Sequence, residues 1–229
     1  MTTEYWEYIV NRRDLLVQQD IRERKGSFFT PQIWVELSQK YLTDVLGENW
    51  QDEYYIWDCA AGTGNLLTGL TNKYHIWAST LDKQDVDVMK DRIMNGANLL
   101  ESHVFQFDFL NDDFSKLPKG LLEIINDAEK RKKLVIYINP PYAEASSYGI
   151  NSIPQVANET KIFHLYKSIV GAEALNELFA QFFIRVNHEI TDSILASFST
   201  PKFVTSEKFT KFKTHFEAEF RKGGIVNLR

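Results

Sequence analysis

Asn139-Pro140-Pro141-Tyr142 gathers residue types that can hold a planar heterocycle by its amino group. Asn139 offers a side-chain carbonyl acceptor, and Pro140 leaves a backbone carbonyl that a stiff chain can aim outward. Two convergent acceptors suit an amino group with two hydrogens. Tyr142 adds a flat ring that can stack on the heterocycle. Pro-Pro alone commonly does no more than start a loop. Here it directly follows Leu134-Val135-Ile136-Tyr137-Ile138, a short β-branched and aromatic run preceded by the charged residues 129–133. That context predicts a buried strand. The prolines stop it, because neither can donate to a ladder. Asn139 and Tyr142 are thereby placed at the strand's carboxyl end, the edge where open parallel α/β sheets bind ligands.

A second group of candidates lies upstream. Gly62-Thr63-Gly64 falls within Ala60-Ala61-Gly62-Thr63-Gly64-Asn65, just after an expected strand at 54–59. Glycines at a strand-to-helix handover let a ligand come close to the backbone. The nicotinamide fingerprint would place glycine at 67, where this chain has Leu67, and no Lys-Ser/Thr pair follows for a phosphate loop. Asp82 comes 18 residues after Gly64. That is close to the spacing of about 20 at which an acid accepts from ribose hydroxyls. Asp85 and Asp87 are rivals, but both fall inside an expected helix. Asp108 follows the third strand and could accept from an adenine amino group. Each acid alone fits a solvated surface charge; their placement at successive strand ends makes them site candidates. The 5 histidines are scattered without ligand spacing and read as structural, so no metal site is expected. Cys59 reads as a small buried residue, not a nucleophile.

These candidates need elements to position them. Residues 3–25 have a helical pattern, with Trp6, Ile9, Val10, Leu15 and Leu16 on one face. Thr30-Pro31 predicts a helix start, with Thr30 as the capping acceptor and Pro31 at the first helical position. Ile33, Leu37, Tyr41, Leu42, Val45 and Leu46 keep helical spacing as far as Gly47. Strands are expected at 54–59, 75–79, 103–107, 134–138 and 193–199. Helices are expected at 66–72, 84–95, 117–132, 161–170, 173–190 and 206–222, the last carrying Phe209, Phe212, Phe216 and Phe220 on one face. Residues 143–159, rich in Ser, Asn and Gly, read as a loop, and 225–228 resemble the start of a sixth strand. Strands alternating with helices imply an α/β fold: an open, mostly parallel sheet with right-handed crossovers and helices on both faces. A helical segment over 1–47 would precede the main domain at 48–229.

A length of 229 residues suits one large domain or a domain with an appendage. Hydrophobic content of 44%, with 16 Phe, 10 Tyr and 5 Trp, permits a substantial core. The net charge of −5, from 26 basic and 31 acidic residues, argues against a self-sufficient nucleic-acid binder but leaves room for a local basic face. The single cysteine excludes an intramolecular disulfide framework and fits a reducing, cytoplasmic setting. No apolar run reaches membrane-spanning length, and residues 1–8 carry no signal-peptide pattern.

Together, Gly26-Ser27-Phe28-Phe29-Thr30-Pro31, Asp58-Cys59-Ala60-Ala61-Gly62-Thr63-Gly64 and Asn139-Pro140-Pro141-Tyr142 resemble the ordered motifs of Class I, S-adenosylmethionine-dependent N6-adenine DNA methyltransferases. The resemblance is to the group that includes Type I modification subunits and fused Type IIS or IIG restriction–modification enzymes, and it runs from about residue 22 onward. It implies a Rossmann-like methyltransferase fold. Phe28, Thr30 and Pro31 would line the methionine end of the cofactor. Asp58 and Gly62 would lie near its amino acid part, with Ala60 and Gly64 also cofactor-binding, Asp82 at the ribose, and Asp108 with Phe109 at the adenine. Asn139, Pro140 and Tyr142 would hold the target adenine of DNA. Asn-Pro-Pro-Tyr also occurs in enzymes that methylate RNA guanine or protein glutamine; the Gly-x-Phe-x-Thr-Pro segment favours adenine in DNA. Complete relatives have seven strands, a further aromatic for the flipped base and a target-recognition region. The resemblance therefore implies a C-terminally truncated catalytic part with weak or no activity alone, working with a C-terminal half, a specificity subunit or a nuclease partner. A non-catalytic, partner-binding remnant that keeps the fold is the other expectation, and it would bind no cofactor or would expose a sheet edge at 225–228 that self-associates.

Overall fold

The computed structural model describes residues 30–142 and 154–225. The helix expected over 3–25, Phe28 with most of its motif, the first part of the loop expected from 143, and most of the sixth strand lie outside the described residues.

Helix α1 (Gln32–Leu46) buries Val35 and Leu42 and stops at Gly47, whose φ of 97° is a conformation open to glycine. Its start differs from expectation. Pro31 takes the capping position, and the Thr30 side chain makes no cap bond, because its hydroxyl is engaged elsewhere. A short helix α2 (Trp50–Glu53) buries Trp50 and leads into β1 (Tyr55–Asp58). After β1 there is only a 3-10 turn, Asn65–Leu67, where a helix over 66–72 was expected. Gly64 and Gly69 adopt φ of 80° and 88° on either side, which interrupts the run before an α-helix can propagate.

Strand β2 (Ile76–Thr80), helix α3 (Lys83–Met94) and strand β3 (Val104–Gln106) follow. The stretch 117–132 forms two helices, α4 (Lys119–Asn126) and α5 (Ala128–Arg131), instead of one. Asp127 leaves the helical region between them, and its carboxylate accepts from the Glu129 and Lys130 amides at 2.9 and 3.0 Å, capping the second. Strand β4 (Leu134–Ile138) is buried along its whole length. Helix α6 (Pro154–Glu159) lies in a stretch expected to be loop. Next come α7 (Lys161–Val170), α8 (Ala172–Leu175) and α9 (Leu178–Glu189). The single helix expected over 173–190 is broken at Glu177, which is extended. Strand β5 (Ile194–Ser197), α10 (Lys202–Thr205) and α11 (Thr210–His215) complete the order. The helix expected to reach 222 ends early. Phe216 still stacks on Phe212 and Phe183, but Phe220 is 82% exposed. The chain beyond it instead brings Lys222 to Asp44 and over the Tyr41 ring of α1.

All five strands are parallel, in the order β3-β2-β1-β4-β5. Helices cover both faces, so alternate residues of the central strands enter different cores. Trp57, Leu134, Ile136 and Ile138 pack with α4, α7 and α9. Ile56, Val135 and Tyr137 pack with α1 and α3. A sheet buried on both faces explains why β4 reads as a continuous apolar run. The architecture is a Rossmann-like α/β fold. The direction of strand addition reverses between β1 and β4, which opens a crevice at their carboxyl ends. Among the described residues no helix is long and apolar enough to cross a membrane.

Candidate functional site at the carboxyl ends of β1 and β4

Strands β1 and β4 pair from Tyr55↔Leu134 to Trp57↔Ile136, so Asp58 and Asn139 emerge at the same edge. Ile138 is the last strand residue, and the buried Pro140 fixes the chain's exit. Asn139 stands at the centre of a hydrogen-bonded chain. Its amide nitrogen donates to the Thr30 hydroxyl oxygen at 2.8 Å, and its amide oxygen accepts from the Tyr142 hydroxyl at 2.6 Å. The Thr30 carbonyl in turn accepts from the Asn65 side chain at 2.5 Å. Three sequence motifs far apart along the chain are thereby joined in one network. Burial pushes the Tyr142 hydroxyl well above its ordinary pKa, so it remains a neutral donor. Its ring lies 6.5 Å from that of Phe179.

The glycine turn is held from two sides. Ala61 donates its amide to the Ser79 carbonyl at 2.9 Å, and Gly64 donates to Ala61 at 2.8 Å. Arg92 of α3 donates to the Thr63 carbonyl at 2.7 Å and to the Thr68 hydroxyl at 3.2 Å. Gly62 and Gly64 have φ of 52° and 80°, yet they differ in surroundings. A Cβ on Gly64 would meet Met89 at 3.2 Å, whereas one on Gly62 would meet nothing within 4 Å among the described residues. Gly64 is required by the protein's own packing; Gly62 faces space that the described residues leave open.

Asp58 is 1% exposed and accepts the Ala60 amide at 3.0 Å. Burial raises its pKa to about 7, opposed by that one bond. A buried carboxylate with acceptor capacity to spare suits a cationic group such as an α-ammonium. The turn thus brings together open space over Gly62, the buried Asp58 and a backbone held in place by Arg92. Ala60 contributes through its amide to Asp58.

The strand ends farther along the sheet are arranged differently. Asp82 occupies the capping position of α3 without a side-chain cap bond, partly exposed. The rival Asp87 pairs with Lys83 on the helix surface at 3.3 Å. Asp108 follows β3, and its carboxylate accepts from the Leu110 and Asn111 amides at 3.0 and 3.1 Å and from the Asn111 side chain at 2.8 Å. The Phe109 ring is 2% exposed, stacked 5.0 Å from Phe182. The ring supports this loop from beneath. Beneath it lies Arg185 of α9, which donates to the carbonyls of Phe109 and, at 2.9 Å, Asp112. Among the described residues no group of three or more His, Cys, Asp or Glu side chains could hold a metal ion. Cys59 is buried, and burial pushes its thiol pKa up.

Asn65, Arg92 and Arg185 were not singled out from the sequence. Arg185 carried a signal, as the one charge within a run of α9 at 178–186 whose other residues, Gln181 apart, are apolar. Asn65 directly follows the glycine turn, but nothing local foretells a partner 35 residues away.

No family model matches the chain, and no curated protein matches it. Among solved structures it is similar to a chain of the cryo-EM structure of a DrdV–DNA complex, with a TM-score of 0.58 and 18% identity. The alignment covers 87% of this chain and 23% of that one, so this chain spans less than a quarter of that protein's length. The likeness is one of fold.

Proposed function

We propose that this chain is the cofactor- and base-binding part of an S-adenosylmethionine-dependent N6-adenine DNA methyltransferase of the restriction–modification type. The observation that carries the reading is the Asn139 amide, held at the β1/β4 crevice by Thr30 and facing Tyr142 beside an open glycine turn. The structural neighbour was solved in complex with DNA, which is consistent with a nucleic-acid substrate.

The bound cofactor would supply an electrophilic methyl group. The target adenine must leave the duplex stack before it can reach Asn139. Its amino lone pair is delocalised into the ring and is a weak nucleophile. The Asn139 oxygen would exchange the Tyr142 hydroxyl for an amino hydrogen, and the Pro140 carbonyl would take the second. These acceptors orient the nitrogen and stabilise the positive charge that develops on it. The Tyr142 ring, released from Asn139, would stack on the base and recover part of the lost stacking energy. Asp58 would hold the cofactor's ammonium, Asp82 its ribose and Asp108 its adenine. Sequence reading would fall to a C-terminal half, a specificity subunit or a partner linked to a nuclease.

The test is calorimetric titration with S-adenosylmethionine, followed by tritiated-methyl transfer to DNA, RNA and protein, with candidate C-terminal segments co-expressed. We expect saturable binding weakened by Asp82→Ala, and label on DNA adenine abolished by Asn139→Ala. Label on RNA or protein glutamine would move the reading to those substrates. A well-folded chain that binds no cofactor would overturn it.

A further inference from the structure

Thr30 lies where three motifs meet, and its hydrogen bonding is incomplete. Its backbone carbonyl is fixed by Asn65 at 2.5 Å, and its hydroxyl oxygen accepts from Asn139 at 2.8 Å. The residue is only 6% exposed. Among the described residues no acceptor receives its hydroxyl proton. It also makes no helix-cap bond, although it immediately precedes the capping residue of α1.

That free proton matters because of its neighbour. A hydroxyl both donates and accepts, so it can satisfy either end of an asparagine amide. Tyr142, on the other side of Asn139, is also a hydroxyl. An Asn139 side chain between two hydroxyls can rotate end for end and keep both bonds. In one orientation the carbonyl oxygen faces the Tyr142 side, where an incoming amino group would find an acceptor. In the other the amide nitrogen faces it, and a donor would meet a donor. With Thr30 uncommitted, its hydrogen bonds alone do not decide between the two.

We propose that Thr30 is a positioning residue that couples cofactor binding to the orientation of Asn139. This inference rests on the cofactor reading above. When the Thr30 hydroxyl donates to an acceptor at the methionine end of the cofactor, such as its carboxylate, only lone pairs remain for Asn139. The Asn139 nitrogen must then face Thr30, and its oxygen must face the base. A filled cofactor site thus prepares the acceptor, and an empty one leaves the base site unselective. Linkage makes the coupling reciprocal: base binding to the correct orientation strengthens cofactor binding by the same factor. The role of Asn65 is to fix the Thr30 backbone so that the hydroxyl reaches both sites.

The test follows the Asn139 side-chain amide by ¹⁵N NMR in the whole chain, assigned with Asn139→Asp, with and without S-adenosylhomocysteine. It needs no methyl transfer. We expect saturating S-adenosylhomocysteine to slow hydrogen exchange of the Asn139 amide by about tenfold or more, the scale of one charge-assisted hydrogen bond. Thr30→Ser should keep the response. Thr30→Val, nearly isosteric but without the hydroxyl, should bind the ligand more weakly and, once saturated with it, lack the response. If wild type binds S-adenosylhomocysteine and Asn139 does not respond, the coupling is overturned and the cofactor reading stands. An unchanged response in a folded Thr30→Val variant has the same meaning. If wild type binds no S-adenosylhomocysteine, the cofactor reading itself falls, and the coupling with it.

Discussion

Arg185 and Asp58 are both buried ionisable side chains in the same α/β layer structure, and their surroundings differ sharply. Arg185 is saturated. Its guanidinium donates to the Phe109 and Asp112 carbonyls, pairs with Glu189 at 2.9 Å and lies 4.2 Å from the Phe114 ring centroid. Asp58 accepts the Ala60 amide, and burial holds its pKa near 7. A protein that only needed to fold would have no reason to leave a carboxylate in that state, since an incompletely paired buried charge costs free energy. The saturated ion braces the architecture that carries Asp108. The under-satisfied one keeps acceptor capacity at the crevice. Between these two ions, completeness of hydrogen bonding separates framework from candidate chemistry better than burial or charge does.

The largest expected effect is on the framework side. Arg185→Met removes the cation and leaves two carbonyls without their partner, while Glu189, 27% exposed, keeps the Tyr166 hydroxyl at 3.3 Å. Each carbonyl left unsatisfied costs about 1–3 kcal/mol. Urea denaturation should show a loss on that scale, together with a loosened 108–112 loop in hydrogen exchange. A loss under about 1 kcal/mol would mean that Arg185 is not the brace the geometry suggests.

Asp58→Asn should act in the opposite direction. Its folded-state pKa of about 7 lies above the ordinary aspartate value of 3.8, so the folded protein holds a proton that the unfolded chain has released between those values. Its contribution to stability is present in full below 3.8 and is lost as the pH rises through about 7. Asparagine cannot ionise. The variant should therefore equal or exceed wild type in stability at pH 8, by an amount of the order of 1–3 kcal/mol, and should lose this part of the pH dependence. Cofactor affinity should fall in the same variant. Denaturation at pH 5 and pH 8 beside a binding titration checks both. A variant less stable at pH 8 would show Asp58 to be as structural as Arg185.

How much of this contrast was legible in the sequence follows from which interactions are local. β4 was read with its observed bounds, because Leu134–Ile138 is a continuous apolar run closed by two prolines. The same run placed Asn139 at a strand end. The helix breaks at Asp127 and Glu177 were missed because one residue leaving helical geometry barely alters a hydrophobic period. That the Phe109 ring stacks on Phe182 is something no local pattern reveals. Thr30 looked like a helix cap because Ser or Thr before proline usually is one. Its actual partner, Asn139, is 109 residues away. Residue types told what Thr30 could bond; only the fold told which bond it makes.

The glycines offer a smaller version of the comparison. Gly64→Ala should destabilise by about 2 kcal/mol, from left-handed strain together with crowding against Met89. Gly62→Ala carries the strain without the clash, so about 1 kcal/mol is expected. Its new methyl would stand in the open space where a ligand would lie. Thermal denaturation and calorimetry together should show Gly64→Ala losing more stability, and Gly62→Ala losing more affinity than its stability change explains. Equal losses of affinity in the two variants would remove the distinction.

The smallest stability effect is expected at Tyr142. Tyr142→Phe deletes the hydroxyl that occupies the Asn139 oxygen at 2.6 Å but keeps the ring. Asn139 is only partly buried, so water can take the vacated position. The cost should stay near 0.5–1 kcal/mol, and pH should not alter it, because burial keeps the Tyr142 hydroxyl protonated through the working range. In the ligand-free protein that hydroxyl competes with an incoming amino group for the same oxygen. Removing it should raise the affinity of the crevice for adenosine, which presents that amino group, as measured by saturation-transfer NMR. Unchanged or weaker adenosine binding, with stability preserved, would mean that the Tyr142 hydroxyl helps to hold the base instead of standing in for it.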